Sequence, residues 1–171
     1  MPLADFLNST IFKDVLLAID DSMALLSFLS VFIYIVLKDN LALRYSVLCS
    51  VFYIISFFVH GPIKGFDDDH VYRYIIWALN DIIFIAIVAY WALRDKMYMW
   101  QSVLVQLVVL PAPILQLFRL VDRHLMELSY STYLYKTVLP LVNFAAVMLC
   151  FAPLLLHFGE RLNLFTRTQS K

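Results

Sequence analysis

The amino-acid sequence predicts an all-α membrane protein, a bundle of about five transmembrane helices with short connections, the fourth of them kinked by proline. Three observations carry that expectation. Hydrophobic residues make up 63% of the 171-residue chain, against roughly 45–50% in soluble domains. Charged residues are 15%, against about 25%. The apolar residues also fall in runs close to the ~20 residues that a helix needs to cross the hydrocarbon core. A soluble fold of this size has too little interior to hide that much apolar surface, and disordered chains are poor in such residues. Period-2 alternation is absent, so helices rather than barrel strands are the spanning elements.

The length fits a single integral membrane domain over 1–171. In residues 1–14, Leu3, Leu7 and Ile11 recur every fourth position and continue into Val15, but Asp14 projects among them. This segment reads as an interfacial helix or as the beginning of the first span. The five spans are expected at about 15–37, 41–59, 74–93, 101–118 and 138–158. The connections between them carry the charge: Lys38 to Arg44, His60 to Arg73, Arg94 to Trp100, and Arg119 to Thr137. Short links make consecutive helices antiparallel neighbours. Tyr72, Trp77, Trp91, Tyr98, Trp100 and Tyr135 gather near these boundaries, where amphipathic rings sit at headgroup level.

The 13 basic and 13 acidic residues cancel to a net charge of +0, so no field of one sign is available to attract nucleic acid. Lys and Arg divide almost evenly between the two membrane faces, whereas the acids gather on the N-terminal side. That distribution leans toward N-out, C-in, in the cell (inner) membrane. Lys13 is the only basic residue near the N-terminus, so no cleaved signal peptide is expected. Cys49 and Cys150 lie in apolar runs without metal-type spacing and read as packing residues.

An ionisable group inside a span is costly, which makes it a functional candidate. Asp20, Asp21 and Asp81 qualify, with Asn80 beside Asp81 and His60 ending the second span on the same side. Converging, these groups would form a polar intramembrane site for a divalent metal or a proton relay. The plainer reading puts Asp20 and Asp21 in the headgroup zone and gives Asp81 one satisfied hydrogen-bond partner. His60, at the end of the second span, and Asp67, Asp68, Asp69 and His70, in the loop from Gly61 to His70, are weak metal candidates. They lack the ligand spacing of an EF-hand, and a solvated acidic loop that caps the third helix explains them more simply. His124 with Glu127 and His157 with Glu160 are single His-x-x-Glu pairs, a pattern that means little without a second copy. No His-Glu-x-x-His or Gly-x-Ser-x-Gly element is present.

Pro111 and Pro113 interrupt the fourth span and deprive the carbonyls of Leu107 and Val109 of their helical donors. Pro153 does the same to Leu149 in the fifth. A kink satisfied by neighbouring side chains is the simpler outcome; an unwound segment helped by Gln106, Gln116 and Asn143 would instead suit a transporter. Only 3 glycines occur, which counts against helices that slide past each other in close backbone contact; the faces of Phe, Leu, Ile, Val and Tyr suit a bundle with lateral surfaces for lipid or a partner helix. The leading functional expectation is a non-catalytic multi-pass protein whose partners are the lipid bilayer and a membrane protein or a homo-oligomer. An ion- or proton-coupled transporter or channel using Asp81 and the broken fourth helix is the second. The third is a metal-dependent intramembrane enzyme. No cofactor is expected, a divalent metal being the one alternative.

Overall fold

The computed structural model describes the backbone of residues 10–67, 71–126 and 129–169, with side chains over 22–63, 65, 67, 71–125 and 132–159. Over these residues the chain is helical: α1 Thr10–Leu37, α2 Asn40–Phe66, α3 Tyr72–Leu93, α4 Met99–Val109, α5 Pro111–Val121, a π-helical turn Asp122–Met126, and α6 Ser129–Gln169. Four stretches are long and apolar enough to span a bilayer: Asn40–Ile63, Tyr72–Leu93, Met99–Leu125 and Thr132–Gly159. Within α1 the described apolar part, Ser22–Leu37, is shorter. The whole helix has 28 residues, about 42 Å at 1.5 Å per residue, which exceeds the ~30 Å hydrocarbon core. The protein is an all-α integral membrane bundle.

Several boundaries differ from the sequence expectation. Thr10–Asp14 is continuous with α1, which favours the beginning of a span over a separate interfacial helix; residues 1–9 lie outside the described residues. The segment from His60 to Phe66, expected as connection, continues α2 through Pro62. Ile63 is buried there, and packing outweighs the turn signal of Gly61 and Pro62. Much of the expected connection before the last span is helix as well, since α6 begins at Ser129. The fourth span does divide at the prolines, into α4 and α5. Leu110 between them keeps helical angles, φ −50° and ψ −38°, so the break is a kink and not an unwound segment. Pro113 lies within the first turn of α5, where a missing N–H costs little.

Two helices end in the same way on one face of the bundle. Lys38 and Asp95 adopt left-handed angles, φ 57° and 54°. After α1, Lys38 N–H reaches Ile35 O at 3.3 Å and Asp39 N–H reaches Tyr34 O at 3.2 Å. After α3, Asp95 N–H reaches Ala92 O at 3.1 Å and Lys96 N–H reaches Trp91 O at 2.9 Å. Both are Schellman closures that usually take glycine. Asp tolerates this conformation, whereas Lys is strained in it. Lys38→Gly should therefore stabilise the protein by about 0.5–1 kcal/mol in a denaturation titration in mixed micelles. Unchanged or lowered stability would mean that this backbone carries no strain.

The helices meet through small and polar residues together with a core of larger apolar side chains, among them Met23, Tyr45, Phe84, Val88 and Val147, while other large apolar residues face outward. α6 touches α1, α2, α4 and α5, while α3 packs on α4 and α5. Ser27, Ser30, Ser46, Ser50, Ser102, Ala42, Ala78, Ala112 and Ala146 are buried. Val36, Phe57, Leu93, Leu125 and Leu155 stand 70–80% exposed, as side chains facing lipid do. Serine and alanine let the backbones approach without glycine, and Ser27, Ser30 and Ser50 satisfy their hydroxyls on their own helices, at 2.8, 2.7 and 2.9 Å.

Candidate functional site

Pro153 has no N–H, so the carbonyl of Leu149 needs a donor from elsewhere. Gln101, fully buried on α4, supplies it: Nε2 donates to Leu149 O at 2.8 Å. One residue further on, the Tyr34 hydroxyl of α1 bridges the next helical pair, donating to Cys150 O and accepting from Leu154 N at 3.3 Å. Tyr45 donates to Ala146 O at 2.7 Å and Tyr53 to Asn143 O at 3.2 Å, both from α2. Four side chains on three helices therefore hold one stripe of α6 backbone. The sequence reading missed this stripe; its signal was the orphaned Leu149 carbonyl together with interior Tyr and Gln residues able to donate. Beside it, Tyr34, Leu37, Asp39, Pro153, Leu154 and His157 line a cleft of about 70 Å³, room for two or three waters.

Asp39 organises that face. Its Oδ1 caps α2 by accepting from Leu41 N and Ala42 N, both at 3.1 Å, and its Oδ2 accepts from the Tyr98 hydroxyl at 3.1 Å. Burial, and after it the bond to the Asp39 carboxylate, pushes the Tyr98 hydroxyl above its ordinary value. Arg44 Nη1 donates to Lys96 O at 3.0 Å, tying the first turns of α2 to the connection after α3.

On the opposite face Asp67 is buried, and its carboxylate is the cap of α3. It accepts from Val71 N, Tyr72 N and Arg73 N at 2.9–3.0 Å and from Arg73 Nε at 3.3 Å. Its role is structural and specific, more than that of a solvated loop acid. Asp68, Asp69 and His70 lie outside the described residues. Close by, Arg119 Nη1 meets Oδ2 of the fully buried Asp122 at 2.8 Å.

Asp81 lies nine residues after Tyr72, about 14 Å along α3. Gln116 Nε2 of α5 donates to Asp81 Oδ2 at 2.8 Å, and the Asn80 side chain contributes a second hydrogen bond. Gln116 is 5% exposed, and its Oε1 has no donor among the described residues. The Tyr135 hydroxyl of α6 lies within electrostatic reach of Asp81, Arg73, Tyr74 and Arg119, and its ring packs edge-on against Tyr74 at 5.6 Å. The same face thus holds Asp67, Arg73, Asp81, Gln116, Arg119, Asp122 and Tyr135.

His60 is exposed on α2, its ring 6.2 Å from that of Trp77, one turn before Asp81 on α3. Asp20 and Asp21 belong to α1, but their side chains lie outside the described residues. Among the described residues no three His, Cys, Asp or Glu side chains group as metal ligands would. His124 Nδ1 meets the Leu120 carbonyl at 2.9 Å; the side chains of Glu127 and Glu160 lie outside the described residues. Cys49 and Cys150 are buried free thiols. Comparison with known protein families, with curated proteins and with solved structures finds no match to this chain.

Proposed function

We propose that this integral membrane protein acts by lateral association in the bilayer with a second copy of itself, through the outer face of α6. The observation that carries this reading is Asn143. It lies about 16 Å along the helix from Thr132, well inside the span Thr132–Gly159. It is exposed on the bundle surface, beside the exposed Leu141 and Phe144. Its backbone carbonyl takes the Tyr53 hydroxyl, but its side-chain amide makes no hydrogen bond among the described residues. Lipid tails offer an amide nothing to bond. A carboxamide is both donor and acceptor, so the group that best satisfies it is another carboxamide at the same depth, which a second copy brings by symmetry.

The transport reading has less support. Between the kink and the opposite wall, the interior is filled by Met23, Tyr45, Phe84, Val88, Val105 and Val147, so a pathway would require those side chains to move. The N-out, C-in orientation stays with the proposal, and a C-terminal reporter facing outside would reverse it.

Energy transfer between donor- and acceptor-labelled full chains, diluted stepwise with lipid in vesicles, tests the association. Wild type should self-associate, and Asn143→Leu should weaken association on the order of tenfold, the effect of one or two interhelical hydrogen bonds. Asn143→Gln should retain most of it. A wild type that is monomeric at every protein-to-lipid ratio would sink the reading.

A further inference from the structure

Asp81 presents a hydrogen-bonding imbalance. A carboxylate only accepts, and Gln116 Nε2 already donates to it at 2.8 Å. On the same amide carbon, Gln116 Oε1 is buried without a donor. An ionised Asp81, held by Gln116 Nε2 and Asn80, has no proton to give, so the buried Gln116 Oε1 stays without a donor. Ionisation also leaves a charge in the membrane interior with no ion pair among the described residues, since Arg73 is engaged with Asp67 and Arg119 with Asp122. A buried orphan acceptor costs about 1–3 kcal/mol, and an unpaired charge in hydrocarbon costs more.

One proton removes both costs. We propose that Asp81 binds a proton and donates it to Gln116 Oε1, closing a two-hydrogen-bond carboxylic acid–carboxamide ring that latches α5 to α3. The proton comes from water and returns to water when the latch opens; no other bond is made or broken. The Asp81 carboxyl turns to meet the amide about a soft terminal torsion. α5 follows α4 through the kink at Leu110 and Pro111 and packs on α3 and α6, so loss of the ring loosens α5 against α3 about that kink while α4 stays held by Gln101. This is a proton-binding site with a mechanical output, and it stands independently of self-association.

The groups that face this site are few. On α3 itself they are Arg73, Tyr74 and Asn80. From α5 and the π-helical turn come Arg119 and Asp122, and from α6 comes Tyr135. His60 of α2 approaches through Trp77, and α4 carries no titratable side chain. The two arginines oppose protonation, but each is already matched by its own aspartate.

Infrared spectroscopy of the full chain in lipid vesicles tests the proposal. At neutral pH the wild type should show the carbonyl band of a protonated carboxylic acid, shifted on exchange into heavy water. Asp81→Asn, whose amide can still pair with Gln116 and keeps the fold, should lose that band entirely. Gln116→Leu should move it to higher wavenumber, because its carbonyl loses a hydrogen bond. Spin labels at the exposed Ile83 and Leu117 should report a broader α3–α5 distance distribution as the wild-type band disappears with rising pH, and no change in Asp81→Asn. Identical acid bands in wild type and Asp81→Asn, or an unshifted band in Gln116→Leu, would overturn it. If neither variant inserts, absence of an exchange-sensitive acid band in the wild type alone overturns it equally.

Discussion

Replacing Gln101 by leucine should destabilise the bundle by about 1–2 kcal/mol, and most of that loss should vanish when Pro153 is replaced by alanine. The reason is the Leu149 carbonyl. In the wild type, Gln101 Nε2 at 2.8 Å is the donor that stands in for the N–H that proline lacks. Leucine at position 101 fills similar volume but leaves the carbonyl unpaired in a dry interior, which incurs the full desolvation cost. Pro153→Ala restores a backbone N–H at the right helical position, and the side-chain donor becomes redundant. A double-mutant cycle by equilibrium denaturation in mixed micelles measures this directly, with the coupling energy as its readout. Equal losses from Gln101→Leu in the two backgrounds would show that the glutamine stabilises by packing alone.

Asp67→Ala should bring a larger loss, because a single buried carboxylate gathers three backbone N–H groups and the Arg73 guanidinium. Without it the first turn of α3 has no acceptor and Arg73 has lost its buried partner. The pH dependence follows from the same bonds. Burial works against ionisation of Asp67, but the three backbone donors and Arg73 outweigh it and hold the carboxyl below its ordinary value. A carboxyl lowered in the folded state contributes its full stabilisation above the unfolded-chain value, about 3.9. That contribution is lost as pH falls through the lower folded value. Thermal melts in detergent should show the wild type losing stability over that acid range, with the difference from Asp67→Ala shrinking as it does. A difference that stays constant from neutral pH down through this range would rule out the charged cap.

Much of the fold was legible because the bilayer imposes simple rules. Spans of apolar residues between charged connections located α3 to within two residues at its start and correctly at Leu93. The errors came where local chemistry and burial disagree. Gly61 and Pro62 read as a turn, yet Ile63 packs inward and α2 continues to Phe66. The Ser- and Tyr-rich stretch after 128 read as a connection, yet Tyr135 finds Tyr74 and the helix extends through it. At the site, Asp81, Asn80 and Gln116 were all visible as polar residues in apolar runs. That Gln116 and not a histidine meets Asp81 depends on how α5 turns after the kink, which no local pattern encodes. His60 illustrates the opposite case, a residue of plausible chemistry and depth that the packing leaves exposed against Trp77.

The sequence by itself determined the solvent and the secondary structure. With 63% hydrophobic residues the chain must live in lipid, and in lipid a backbone that cannot bond to water closes into helices. The tertiary structure alone decided which polar groups meet. Every proline in a span frees a carbonyl and every interior Tyr, Gln or Asp needs a partner, but the pairing of Gln101 with Leu149, Tyr34 with Cys150 and Gln116 with Asp81 joins residues 35 to 116 positions apart. Such pairs are selected by the rotation and depth of one helix against another. That relation is fixed by the packing of the apolar core together with buried serines and alanines, and it becomes readable only once the helices are assembled.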